Sequence, residues 1–385
     1  MGHEVRVVAP SIMKSLALKD QRHIANRKWR LNTVNFCPQG ISGRLRSISV
    51  RGRRKLAQPL FKASRRPSLA DHGYVTALSE LTKLAASETA DWFIAHAQAA
   101  LPVAAKAAQK WNAKLGFDCE DLLSEMDSDR SANVLSIERR YLPNCQYVSV
   151  PSEAIGHRLV EEHGIAAPVT LYNVFPNKLA DGLKPPSART ANRIRFHWFG
   201  QTIGEGRGIE EAIVGLNKLS EPTELHLRGF VNDAYCASLK TLAKSSGDLL
   251  SVFFHPQIAH DELIQSMGQF DVGLALERPA NVAYALTVTN KVFSYLLAGL
   301  AVAATDTPGQ KEVMDQIPSA GFVYPAGQPE MLARGIQKWL AEPDSLRRTK
   351  QGAWGAARER FNWDHEKQRF LNALGISTRA MERIA

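Results

Sequence analysis

The sequence predicts an α/β protein of two domains, each built on a parallel sheet. Three observations carry that expectation. Short apolar runs alternate with helical periodicity over residues 92–173 and again over 195–340, the rhythm of parallel sheets. Residues 300–304 (Leu-Ala-Val-Ala-Ala) have no polar face, as in a strand covered on both sides. Between the two halves, residues 181–193 collect Gly182, Pro185, Pro186 and Ser187, the composition of a linker. The length of 385 residues suits two domains. The expected limits are a first domain over 1–180, a linker over 181–193, a second domain over 194–360, and a closing helix with its tail over 361–385.

The elements follow in order. Residues 2–10 read as a turn and an alternating strand that Pro10 ends. A Rossmann-like domain normally has an earlier strand, a glycine-rich turn and a helix ahead of such a strand. The expectation is that this first unit is missing or lies ahead of Met1. Residues 74–87 are helical on Val75, Leu78, Leu81, Leu84 and Ala85. Strands follow at 92–96, 114–118, 146–150 and 168–173, with helices at 102–114, from 137, and at 155–163. In the second half, strands fall at 195–200, 224–229, 249–254, 271–277, 300–304 and 321–324. Helices alternate with them, and three more close the chain at 329–340, 344–361 and 363–374.

Charge is uneven. The net charge is +10, but residues 14–66 hold fifteen Lys/Arg against one acid, Asp20. The rest of the chain then has 33 basic and 37 acidic residues, so the basicity belongs to one segment. Its aromatics (Trp29, Phe36, Phe61) follow no stacking pattern, so nucleic acid is not the expected partner. An anionic membrane surface suits the segment better; the plain alternative is a solvated charged face. The cysteines (Cys37, Cys119, Cys145, Cys236) lie far apart and form neither a zinc signature nor a disulfide framework. No apolar run is long enough to span a bilayer, and the residues after Met1 lack the charged-then-apolar pattern of a signal sequence, so none is expected. A cytoplasmic protein, peripheral at the inner face of the plasma membrane, is expected.

Residues 287–309 are the most informative stretch. Thr287 or Thr289 can cap a helix that Gly299 ends, and the helix start offers free N–H groups to an anion such as a diphosphate. The carboxyl ends of parallel strands, where ligands gather, carry His96, Asp118, Glu120 and Asp121 in the first half and Glu277 in the second.

Four motifs occur in an order that resembles retaining glycosyltransferases of the GT4 type, with the two-domain GT-B fold. They are Gly2-His3-Glu4-Val5 before a strand, Phe199-Gly200 with Arg207-Gly208-Ile209, the run Asn290-Lys291-Val292-Phe293-Ser294-Tyr295-Leu296-Leu297-Ala298-Gly299, and Thr305-Asp306-Thr307-Pro308-Gly309. The closing helix after Phe361-Asn362-Trp363 resembles the family helix that crosses back to the first domain. The resemblance implies two Rossmann-like domains facing a cleft, an acceptor bound by the first and a UDP- or GDP-linked sugar by the second. That donor is a substrate; no cofactor or metal is implied.

By the same resemblance, Arg207 and Lys291 clamp the leaving diphosphate and His96 stands near sugar and acceptor. Gly200, Gln201, Gly208, His255, Ile258, Glu277, Thr289, Asn290 and Ser294 line the donor site, and Asp118, Glu120 and Asp121 hold a glycan or lipid-linked acceptor. Gln201 stands where the family loop has arginine, while Ser294 and Leu286 stand where it has a pair of glutamates. Those departures keep open an inactive module that binds a nucleotide sugar or a partner enzyme. A nucleotide-sugar epimerase is a third reading, and it needs acid/base carboxylates that the sequence does not identify.

Overall fold

The computed structural model describes residues 3–11, 27–36, 40–126, 129–187, 193–245, 247–342 and 344–376. By internal contacts these fall into two units. The first holds the described residues up to Val150, Gly156–Val169, and those from Ala373 on; the second holds Pro151–Ile155 and Thr170–Asn372. Residues 188–192 of the expected linker, 377–385 of the tail, and 14–26 and 37–39 of the basic segment lie outside the described residues.

The first unit opens with β1 (Arg6–Ser11) and β2 (Arg30–Asn35), paired in parallel with Arg6 opposite Arg30. Next come α1 (Gly40–Ser64), α2 (Pro67–Tyr74) and α3 (Leu78–Ala85). The sequence reading missed β2 and α1, because the run of basic residues masked their periodicity. The helix expected over residues 74–87 is confined to α3; Tyr74 ends α2, and Ala77, at a left-handed φ of +62°, separates the two. A four-stranded sheet then runs through β3 (Trp92–His96), β4 (Lys114–Asp118), β5 (Tyr147–Val150) and β6 (Val169–Thr170), in that spatial order, with β3, β4 and β5 paired in parallel. Around it lie α4 (Leu101–Trp111), α5 (Ser131–Tyr141) and α6 (Glu153–His163), the first turn of α6 belonging to the second unit. Helix α5 begins six residues earlier than its apolar pattern suggested.

The second unit holds one six-stranded sheet. Its strands are β7 (Ile194–Thr202), β8 (Thr223–Phe230), β9 (Leu250–His255), β10 (Val272–Ala275), β11 (Ala301–Thr305) and β12 (Gly321–Tyr324). They lie in the order β12-β11-β10-β7-β8-β9, so the order reverses between β10 and β7. Its five neighbouring strand pairs are all parallel. Every residue of β10 and β11 is buried, as the apolar run at 300–304 predicted. Full burial of one Val or Leu side chain stabilises by about 1.5–3 kcal/mol, so these two strands contribute heavily to the core of the unit.

Its helices are α7 (Ile209–Leu216), α8 (Asp233–Lys244), α9 (His260–Met267), α10 (Val282–Leu286), α11 (Asn290–Ala298), α12 (Pro308–Met314), α13 (Pro329–Ala341), α14 (Ser345–Glu359) and α15 (Trp363–Ala373). Within this unit Trp363 N–H donates to Phe175 O at 3.1 Å, and the Glu366 carboxylate accepts Tyr172 N–H at 3.2 Å. No described helix is long and apolar enough to cross a membrane.

Candidate functional site

The two units each assemble a polar cluster at strand ends. In the second unit it forms where the strand order reverses, the position at which open α/β sheets bind ligands. Strand β10 ends at Ala275 and the chain turns at Leu276 and Glu277. Helix α11 starts at Asn290, capped by Thr289, whose hydroxyl accepts Lys291 N–H at 3.5 Å. Of the two threonines, this is the cap; Thr287 donates its hydroxyl to Ala283 O at 2.8 Å and closes α10 instead.

Lys291 lies one residue into the helix. Its Nζ is 2.5 Å from Glu277 Oε1, 3.4 Å from Thr289 Oγ1 and 5.6 Å from the Trp198 ring centroid. Burial pushes the Glu277 carboxyl up, but Lys291, Thr289 and Arg207 outweigh it and hold it below the usual carboxylate range. A hydrogen-bond chain fixes the backbone behind this pair. Thr305 Oγ1 donates to Glu277 O at 2.6 Å, and Gln310 Nε2 donates to Thr305 Oγ1 at 2.7 Å. Gln310 is fully buried at the start of α12.

Gly208 begins α7 at φ +72°, where a Cβ would meet Leu276 O at 2.8 Å. Only glycine lets this loop, with exposed Arg207 beside it, approach the end of β10 so closely. Gly200 lies at the end of β7 beside the Trp198 ring. Gln201 is exposed, and its carbonyl accepts Gln257 Nε2 at 2.7 Å. Asn290 is exposed at the helix start.

Other expected donor-site residues are engaged elsewhere. Ser294 is fully buried and donates its hydroxyl to Asn290 O at 3.1 Å, so its side chain serves the helix core. His255 Nε2 is 2.9 Å from His226 Nδ1, and His226 Nε2 is 3.2 Å from Glu224. Burial, then His226 and Arg228, lowers the His255 pKa. Ile258 packs against the core that contains α11.

In the first unit, strand register builds the cluster. His96 sits opposite Asp118, and Asp118 opposite Ser149, across β3, β4 and β5. His96 Nδ1 is 2.7 Å from Asp118 Oδ2, and Ser149 Oγ donates to Asp118 Oδ1 at 2.7 Å. Glu120 Oε2 lies 3.3 Å from His96 Nε2. The hydrogen bond to Asp118 is the main reason that the His96 pKa is raised; burial opposes it, and the charges of Asp118 and Glu120 support it. Asp121 is half-buried, and burial followed by the Glu120 charge raises its pKa. Among the described residues, no group of three or more His, Cys, Asp or Glu is arranged to hold a metal ion.

His96 should titrate above the ordinary imidazole value of about 6.5, and Asp118→Asn should bring it down, as read by NMR of the ring protons. Because the folded value is raised, the stabilisation from His96 is full below the unfolded pKa and is lost as pH rises through the folded one. A His96 titration that Asp118→Asn leaves unmoved would contradict the pairing.

The sequence reading missed Trp198, Ser149, Thr305 and Gln310. Thr305 lay in the loop that the motif marked. The other three carried no local signal, since each matters only through a partner distant in sequence.

No family model and no curated protein sequence matches the chain. Solved structures do. The chain is similar to HepE (Alr3699) of Anabaena in complex with UDP, at 15% identity and a TM-score of 0.66, covering 97% of this chain and 100% of that one. It is similar to sucrose-phosphate synthase of Thermosynechococcus elongatus, at 16% identity and a TM-score of 0.62 over the same shares. It is also similar to an α,α-trehalose-phosphate synthase (UDP-forming) of Burkholderia vietnamiensis, at 11% identity and a TM-score of 0.64, covering 97% and 100%. These likenesses show the fold, GT-B, over nearly the whole chain.

Proposed function

We propose that this chain is a retaining glycosyltransferase of the GT4 type. It moves a hexose from a UDP- or GDP-linked donor to a glycan or lipid-linked acceptor in cell-envelope or exopolysaccharide synthesis. It works at the cytoplasmic membrane surface, which it meets through its basic segment. The observation that carries this reading is Lys291, one residue inside a capped helix start and held by a half-buried carboxylate, at the reversal point of the second sheet.

The chemistry follows from charge. A nucleoside diphosphate gains negative charge as the glycosidic bond breaks. Fixed cations and helix N–H groups that meet that charge stabilise the transition state more than the ground state. Lys291 supplies an ammonium and the start of α11 supplies N–H groups; Arg207 adds a guanidinium able to bind two phosphate oxygens. Glu277 orients Lys291 and faces the donor. In the front-face substitution proposed here, the acceptor hydroxyl attacks C1 from the side on which the diphosphate leaves and passes its proton to that leaving group, so retention needs no protein nucleophile. His96, Asp118, Glu120 and Asp121 form the acceptor site of the first unit, with Asp118 fixing the His96 ring.

HepE has been solved with UDP-glucose, which supports a UDP-linked donor. The test is donor-dependent release of UDP or GDP by the full chain and by Arg207→Ala. Turnover by the intact chain with about a 10²-fold loss in the variant is expected, the size of effect seen when one transition-state donor is removed. Equal turnover would remove Arg207 from the clamp. Nucleotide-sugar binding without turnover would favour the inactive-module reading, for which the departures at Gln201, Leu286 and Ser294 speak.

A further inference from the structure

Helix α1 has two unlike faces. Ser47, Val50, Ala57 and Phe61 are buried. On the other side Ile48, Leu56 and Leu60 are 65%, 69% and 55% exposed. At about 100° per residue these three fall within roughly 120° of one another, and Pro59 and Ala63, also exposed, fall between them. Arg51, Lys55 and Lys62 adjoin this apolar strip on one side and Arg53 on the other. Residues 40–64 contain seven Lys/Arg and no acid. Arg53 lies 3.5 Å from Glu80, whereas Arg51, Lys55 and Lys62 have no carboxylate partner among the described residues.

Three large aliphatic side chains in water beside unpaired cations make a costly arrangement for a solvated face. A charged face alone, the plain alternative for a basic run, would not place Ile48, Leu56 and Leu60 outward together. We infer that this face of α1 docks on an anionic lipid bilayer, with Ile48, Leu56 and Leu60 entering the acyl boundary and Arg51, Lys55 and Lys62 meeting the headgroups. Charge complementarity selects the occupant: cations flanking an apolar strip are the pattern of helices that lie in the bilayer interface. The inference deepens the membrane part of the proposed function and rests on that part alone. It replaces a diffuse attraction through residues 14–66 by a defined helix face.

Co-sedimentation of the full chain with vesicles tests it, using phosphatidylcholine alone and phosphatidylcholine mixed with phosphatidylglycerol. Wild type should bind the mixed vesicles, less so as salt rises, and bind neutral ones weakly. Leu56→Ser/Leu60→Ser, and separately Arg51→Ser/Lys55→Ser/Lys62→Ser, should each weaken binding at least about tenfold. All five side chains are exposed, so circular dichroism should be unchanged. Binding by the leucine variant equal to wild type overturns insertion. Equal binding to both vesicle types overturns the anionic partner. A dimer in sedimentation velocity that the leucine variant dissolves also overturns the proposal, since a second copy would then cover the face. UDP binding measured by calorimetry without vesicles reads the donor site separately. Its loss with vesicle binding intact defeats the donor reading alone, and the converse defeats the docking face alone.

Discussion

Lys291→Met should abolish most glycosyl transfer, by about 10²–10³-fold in nucleotide release, because one fixed positive charge at the leaving group is removed. The loss should fall mainly on kcat, since the charge on the diphosphate grows in the transition state. The same change should destabilise the second unit. Glu277 keeps its burial and loses its cation, so its carboxyl pKa moves from below the usual range to above it. Breaking a fully buried pair costs about 3–5 kcal/mol, whereas these side chains keep 15% and 22% exposure, so about 2 kcal/mol is expected. The pH dependence should reverse sign. In wild type, the Glu277 contribution is present above the unfolded carboxylate pKa of about 4.3 and is lost as pH falls through the lower folded value. In the variant, stability should instead fall as pH rises through the raised value. Thermal unfolding of both proteins from about pH 3 to about pH 7 reads this, a range that runs from below the ordinary glutamate value to well above it. A variant that keeps wild-type turnover and the wild-type pH trend would remove Lys291 from the site.

Gly309→Ala should disable the same site without touching a charge. A Cβ at Gly309 would collide with Thr287 O and would lie 2.6 Å from Leu286 O. Both obstacles are backbone, so relief requires the segment ahead of Thr289 to move. That segment holds the cap of α11 and sets where Lys291 starts. Overpacking of this kind costs about 1–3 kcal/mol. Nucleotide affinity should fall at least about tenfold, since displacement of a positioning loop by an ångström suffices for more. Calorimetric titration with UDP reads the affinity, and denaturant unfolding reads the stability. Unchanged UDP affinity would show that the 286–289 segment does not set the donor site.

Much of the site was visible in local sequence. A threonine cap, at Thr287 or Thr289, the Gly299 stop and the buried 300–304 strand are short-range features, determined by side-chain hydrogen bonds and apolar periodicity within a few residues; the structure chose Thr289. His96 and Asp118 could be placed at strand ends because each strand is bounded by its own apolar run. Their pairing could not, since the two lie twenty-two positions apart and register across β3 and β4 depends on the chain between them folding first. Strand β2 and helix α1 escaped notice for a different reason. A dense run of Arg and Lys lowers mean hydropathy everywhere, so a face of Val50, Ala57 and Phe61 is hidden among exposed Leu56 and Leu60 until burial separates them.

Residues 287–309 show where the division falls. Their own chemistry specified a capped helix, a stop and a strand, because those interactions close within one or two turns. That Glu277 reaches Lys291, that Ser294 turns into the core, and that Gln310 steadies Thr305 behind the pair were decided by β10, β11 and their helices packing together. Burial and partner choice are properties of the packed sheet, and a side chain acquires them only when distant strands have come into contact.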